Sequence, residues 1–95
     1  MLDSQALILT RQEYRLLALL VQHGGEVVPR AILLTQIFGY APEARTRTLD
    51  IHIGRLRKKL GLEGRCIETI FGKGYRFRPL PGLELQGLPE ADALN

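Results

Sequence analysis

Enzymes bring nucleophiles, proton carriers or metal ligands together, and this chain holds few of any of them. It has one serine, Ser4, one cysteine, Cys66, and two histidines, His23 and His52, in well separated segments. No pairing of these supplies a nucleophile with its base and an orienting acid. Asp50 and His52 stand two apart in a segment of helical periodicity, so their side chains diverge, and Asp50 reads as structural or loop-contacting. One Cys and two scattered His lack the paired spacing of zinc sites. Gly72-Lys73-Gly74 has the composition of a phosphate loop, yet no helix follows to present its N-terminus to an anion. The expectation is a protein with no catalytic activity, no cofactor and no metal.

What the residues do supply is positive charge, concentrated in one place. All 13 Lys and Arg precede residue 80, so residues 1 to 80 carry 13 basic and 7 acidic groups. Between Arg45 and Leu60 stand six bases (Arg45, Arg47, Arg55, Arg57, Lys58, Lys59) and one acid, Asp50. A cluster of this kind has nucleic acid as its natural partner, against the plainer reading of a solvated helix face. The chain shows no apolar run near the roughly 18 residues that cross a bilayer, and a lone cysteine suits a reducing compartment. The expected location is the cytoplasm, with no membrane partner.

The elements that must position these charges can be read from the periodicity. Thr10-Arg11-Gln12-Glu13 is a capping box that opens a helix, which Tyr14, Leu17, Leu20 and Val21 continue until His23-Gly24-Gly25. A second helix runs from Ala31 to Phe38 and stops at Gly39, and a loop spans Gly39 to Arg45. A third helix runs from Thr46 or Arg47 to Leu60, with Gly61 as its C-terminal cap. Leu49, Ile53, Leu56 and Leu60 form its apolar seam, within about 60° of arc. Arg47, Ile51, Gly54, Arg55 and Lys58 lie opposite, with Thr48, His52, Arg57 and Lys59 on the flanks. Cys66 to Phe71 and Tyr75 to Phe77 read as strands of a hairpin turning at Gly72-Lys73-Gly74. Tyr14, Phe38, Tyr75 and Phe77 read as core. The fold expected is mostly α with small β, a winged helix-turn-helix: a three-helix core plus a C-terminal β-hairpin wing over residues 1–80. Residues 81–95, punctuated by Pro and Gly and free of bases, read as a poorly ordered tail.

Particular fragments also resemble a known family. These are Leu9-Thr10, Glu13, Leu16-Leu17, Val27-Val28, Leu33, Thr48 to Ile53, Arg55 to Leu60, Thr69-Ile70 and Gly72-Lys73-Gly74-Tyr75-Arg76-Phe77. Together they look like the OmpR/PhoB-type DNA-binding domain of bacterial response regulators, over about 70 of the 95 residues. The resemblance implies sequence-specific binding of double-stranded DNA for transcriptional regulation, as the effector domain of a two-component response regulator. It implies that the third helix enters the major groove while the wing reaches an adjacent minor groove or phosphate. By matching position, Arg47, His52, Arg57 and Thr69 would contact phosphate or sugar, Arg55 base edges, and Ile51 thymine methyls. Thr48, Lys58, Phe71 and Lys73 complete the expected DNA-binding set. The resemblance further implies RNA polymerase contact through the Gly39 to Arg45 loop and a homodimer on direct repeats.

The sequence departs from the family at several points. Phe71 and Gly54 stand where basic residues are frequent, and Pro29 where a capping Ser or Asp is usual. Of the family's four-stranded N-terminal platform sheet only Ala6 to Leu9 is clear, so that sheet is expected to be truncated. Two rival functions fit the residues less well. A truncated module acting through protein–protein interaction has no use for Arg47, Arg55, Arg57 and Lys58 on one side. RNA binding meets the obstacle that a helix cannot read the deep, narrow major groove of an A-form duplex.

Overall fold

A computed structural model describes residues 8–79. Three helices are followed by a hairpin: α1 (Arg11–Gln22), β1 (Val28–Pro29), α2 (Arg30–Phe38), α3 (Thr48–Leu60), a 3₁₀ segment (Gly61–Cys66), β2 (Ile67–Ile70) and β3 (Gly74–Phe77). This is the winged helix-turn-helix expected from the pattern. The capping box is formed, with Thr10 Oγ1 accepting from the Glu13 N–H (3.2 Å) and Glu13 Oε1 accepting from the Thr10 N–H (2.9 Å). Gly39 ends α2 at φ 71° and Gly61 ends α3 at φ 65°, both in the range that glycine tolerates best.

The core gathers Leu16, Leu17 and Leu20 of α1, Leu33 and Leu34 of α2, and Leu49, Ile53, Leu56 and Leu60 of α3. Val28, Cys66, Ile67, Tyr75 and Phe77 close it from the sheet side. Each α3 core position is three or four residues from the next, so the helix buries one stripe.

The sheet has three strands in the order β1-β3-β2, all antiparallel. The short strand β1 has no counterpart in the sequence reading. It pairs Val28 with Tyr75 and Pro29 with Gly74, and the Arg30 N–H extends the ladder to the Lys73 carbonyl at 3.0 Å. Proline is tolerated there because β1 is an edge strand. Gly74 is required by the close approach of β1: a Cβ at this position would overlap the Val28 carbonyl oxygen.

The element limits differ from the sequence reading at a few residues. Cys66 ends the 3₁₀ segment instead of opening a strand, and Phe71 belongs to the turn. Helix α3 starts at Thr48, after Thr46 Oγ1 has accepted the Thr48 N–H at 3.1 Å. Tyr14, expected in the core, is 37% exposed on the outer side of α1. Ile8 and Leu9 lie in no strand, and the rest of the expected Ala6 to Leu9 strand and the 81–95 tail fall outside the described residues.

Candidate nucleic-acid interface

With the apolar stripe of α3 turned inward, Arg47, Ile51, Gly54, Arg55 and Lys58 are all exposed. Ile51 is 49% exposed in the middle of this basic face, and beside it Gly54 leaves open space where a side chain would stand. From Ile51 to Lys58 the face runs about 10 Å along the helix, at 1.5 Å per residue.

One flank of α3 is fixed by Asp50. Its carboxylate accepts from Arg30 Nη1 (2.8 Å) and Nη2 (3.0 Å) and from the Tyr75 hydroxyl (2.6 Å). Arg30 also donates to the Thr46 carbonyl at 2.7 Å, so a single guanidinium ties the start of α2, the loop before α3 and the first turn of α3. The paired Arg30 outweighs partial burial and holds the Asp50 carboxyl below the usual carboxylate range; Asp50 likewise raises Arg30. Burial first, and then the bond to Asp50, push the Tyr75 hydroxyl up to about 12. Asp50 is therefore structural, as its place in the sequence suggested. Its partners Arg30 and Tyr75 were not anticipated, because neither lies near it in the chain.

Further along the same flank, Arg57 donates through Nε and Nη2 to the Ile67 carbonyl (3.0 and 2.7 Å) and through Nη2 to Thr69 Oγ1 (2.7 Å). Its guanidinium carbon also lies 5.8 Å from the centroid of the Tyr75 ring. Arg57 and Thr69, both expected at phosphate, thus engage one another and fasten the wing to α3.

The opposite flank meets α1 and α2. Lys59 donates to Glu13 Oε1 at 2.7 Å; burial opposes ionisation of Glu13, but Lys59 and the Thr10 N–H prevail and hold it below its ordinary value. His52 shares a hydrogen bond between Nδ1 and the Thr48 carbonyl (2.8 Å) and sets its ring edge-on to Phe38 at 4.8 Å. The hydroxyl of Thr48 pairs with that of Thr46 at 2.8 Å. Phe38 in turn stacks on Tyr40 of the following loop, with centroids 6.1 Å apart.

At the wing tip Phe71, Gly72 and Lys73 are exposed, and Gly72 takes φ 75°. An open cleft of about 450 Å³ separates the wing from α2 and α3, with Arg30, Asp50, Thr69, Phe71, Lys73 and Tyr75 among its walls. Among the described residues no helix is long and apolar enough to cross a membrane.

The site can be set beside known proteins. A family described as "Transcriptional regulatory protein, C terminal" matches residues 4–77. Response regulator ArlR of Staphylococcus saprophyticus is 44% identical over 78 residues, covering 80% of this chain and 36% of ArlR. Transcriptional regulatory protein HprR of Escherichia coli is 39% identical over 77 residues, covering 79% and 34%. The chain spans about a third of the length of these curated relatives. The Klebsiella pneumoniae RstA DNA-binding domain, solved in complex with the RstA box, superposes with a TM-score of 0.72 at 32% identity, covering 84% of this chain and 82% of that one. For the DNA-binding domain of CpxR from E. coli the TM-score is 0.70 at 38% identity, covering 80% and 78%. With the family matching most of its length, this chain belongs to the C-terminal domains of transcriptional regulatory proteins.

Proposed function

We propose that the domain binds double-stranded DNA sequence-specifically, as the cytoplasmic effector domain of a two-component response regulator that controls transcription. The observation that carries this reading is the outer face of α3, basic around a single apolar Ile51 and flanked by a fastened wing. In the major groove, Arg55 is the base reader, since its planar fork matches guanine O6 and N7. Ile51 lies against thymine methyls. Arg47, Lys58 and Lys73 serve phosphates, while Thr48, His52 and Thr69 supply polar groups beside them. Arg57 acts through the wing that it holds. The Gly39 to Arg45 loop is the surface for RNA polymerase, and two copies occupy direct repeats. Support comes from the matched RstA domain, solved with its DNA box.

The test is a titration of duplex DNA at several salt concentrations. With Arg47, Lys58 and Lys73 neutralising about three phosphates, the log–log slope of affinity against salt should be roughly −2.7. Affinity that ignores salt would leave the basic face a solvated surface and overturn the reading.

A further inference from the structure

The turn between β2 and β3 holds a large apolar side chain that stands exposed among the described residues. Phe71 is 91% exposed, against 78% for Ile8 and 76% for Leu62. Phe71 borders the open cleft beside the wing, yet its ring stays in solvent. An aromatic group held in water is unfavourable, and a partner that covers it recovers that cost.

The arm carrying this ring is stiff. Arg57 pins β2 at Ile67 and Thr69, Tyr75 on β3 reaches Asp50, and the Arg30 N–H holds the Lys73 carbonyl at 3.0 Å. These ties also set its direction. Arg57 bonds the hairpin near its base at Ile67, whereas the backbone of Arg30, whose side chain pairs with Asp50, bonds it near the tip at Lys73, so the tip lies toward the N-terminal end of α3, where Arg47 stands. From Thr69 to Tyr75 the wing has no acidic residue and one exposed base, Lys73. A polyanion is thus the partner that this end of the molecule accepts. A benzyl ring cannot neutralise phosphate, however, and gains only by leaving water among sugars and base faces.

We propose that Phe71 is an apolar wedge: when α3 lies in the major groove, the wing inserts Phe71 into the neighbouring minor groove, where it partly unstacks one base step. Apolar side chains open steps in this way in other minor-groove binders, and pyrimidine–purine steps yield most easily. The wedge therefore adds a preference for such a step at a position that α3 does not read. This inference rests on the duplex-binding reading above.

The experiment uses the whole chain and a duplex recovered by selection from a randomised pool. 2-Aminopurine, whose fluorescence rises when it unstacks, replaces adenine at successive positions beside the α3 site. Binding should raise the signal at one step only. Phe71→Ala should abolish that rise and weaken binding about tenfold, the scale of one lost base–aromatic contact, with the salt slope unchanged. Phe71→Arg should also give no rise but steepen the slope by about 0.9, one further phosphate contact. Phe71 is exposed, so both variants should keep the parent's circular dichroism and melting temperature. Duplex binding with no fluorescence rise at any step, or a Phe71→Ala variant that binds as tightly as the parent, overturns the wedge and leaves duplex binding intact. Self-association that Phe71→Ala removes, without effect on DNA, would assign the ring to a second copy and also overturn it. Failure of the parent to bind any duplex overturns both readings.

Discussion

Replacing Arg57 with alanine should damage the fold before it damages DNA binding. The guanidinium serves two acceptors on the hairpin, the Ile67 carbonyl and Thr69 Oγ1, and faces the Tyr75 ring. Hydrogen bonds from a charged donor contribute about 1.5–3 kcal/mol each, but Arg57 is half-buried and the freed acceptors partly regain water. The expected loss is about 2–4 kcal/mol, within the range for breaking a structural polar network. In a domain of this size that lowers the melting temperature by about 10 °C or more. Equilibrium urea unfolding followed by circular dichroism reads the change as a lower midpoint. The comparison is Arg55→Ala, two residues away, on the outer face of the helix and exposed. It should leave stability within about 0.5 kcal/mol while costing about 1–3 kcal/mol of affinity on the preferred duplex and little on random duplex. An Arg57→Ala variant with the parent's urea midpoint and equally weakened binding to both duplexes would refute the reasoning and return Arg57 to a phosphate.

Two further predictions concern pH. Glu13 and Asp50 both titrate below their ordinary values when folded, so the stability they add is present above about pH 4 and is lost as pH falls through the depressed folded values. Lys59→Met should therefore destabilise the domain most near neutrality, and its deficit against the parent in urea titrations should shrink below about pH 4; a deficit independent of pH would mean that the Glu13 charge is not what Lys59 holds. Tyr75 titrates at about 12 when folded and near 10 when unfolded, so its share of stability is intact below pH 10 and lost between 10 and 12. That share is about 2–3 kcal/mol, and Tyr75→Phe should flatten the alkaline limb of the stability curve; an unchanged limb would sink the assignment.

The parts legible in the sequence are those with local causes. Thr10 and Glu13 satisfy each other across three residues, and Gly24, Gly39 and Gly61 mark helix ends through a backbone that other residues resist. Strand β1 has no such signature. Two residues, one of them proline, become a strand only because β3, more than 40 positions later, lies beside them. The hairpin was visible, but its strand limits depended on which residues the 3₁₀ segment and the turn would claim. Tyr14 satisfied the helical spacing and still faces solvent, because periodicity says which side a residue is on and not how far the packing extends.

The basic cluster shows the same boundary between local and distant causes. At 100° per residue, Arg57 and Lys59 lie about 70° and 90° to either side of the apolar stripe, too far round for the core and too near it for the outer face. Their fate depends on what packs against each flank. The wing supplies carbonyl and hydroxyl acceptors to Arg57, and α1 supplies a buried carboxylate to Lys59. Arg47, Arg55 and Lys58, placed on the far side, remain at the surface. This division does more than remove two charges from the count. A stripe of four aliphatic residues within about 60° of arc would let a helix roll in its bed, since dispersion contacts have little directionality. Asp50 and Arg57 on one flank, and Lys59 on the other, make directional bonds to four different elements, so a roll toward one flank stretches the bonds of the other. The charges bonded on the flanks thus fix the angle at which Ile51, Arg55 and Lys58 face outward. A base-reading arginine needs that angle, because its two hydrogen bonds to one base edge form over a narrow range of approach.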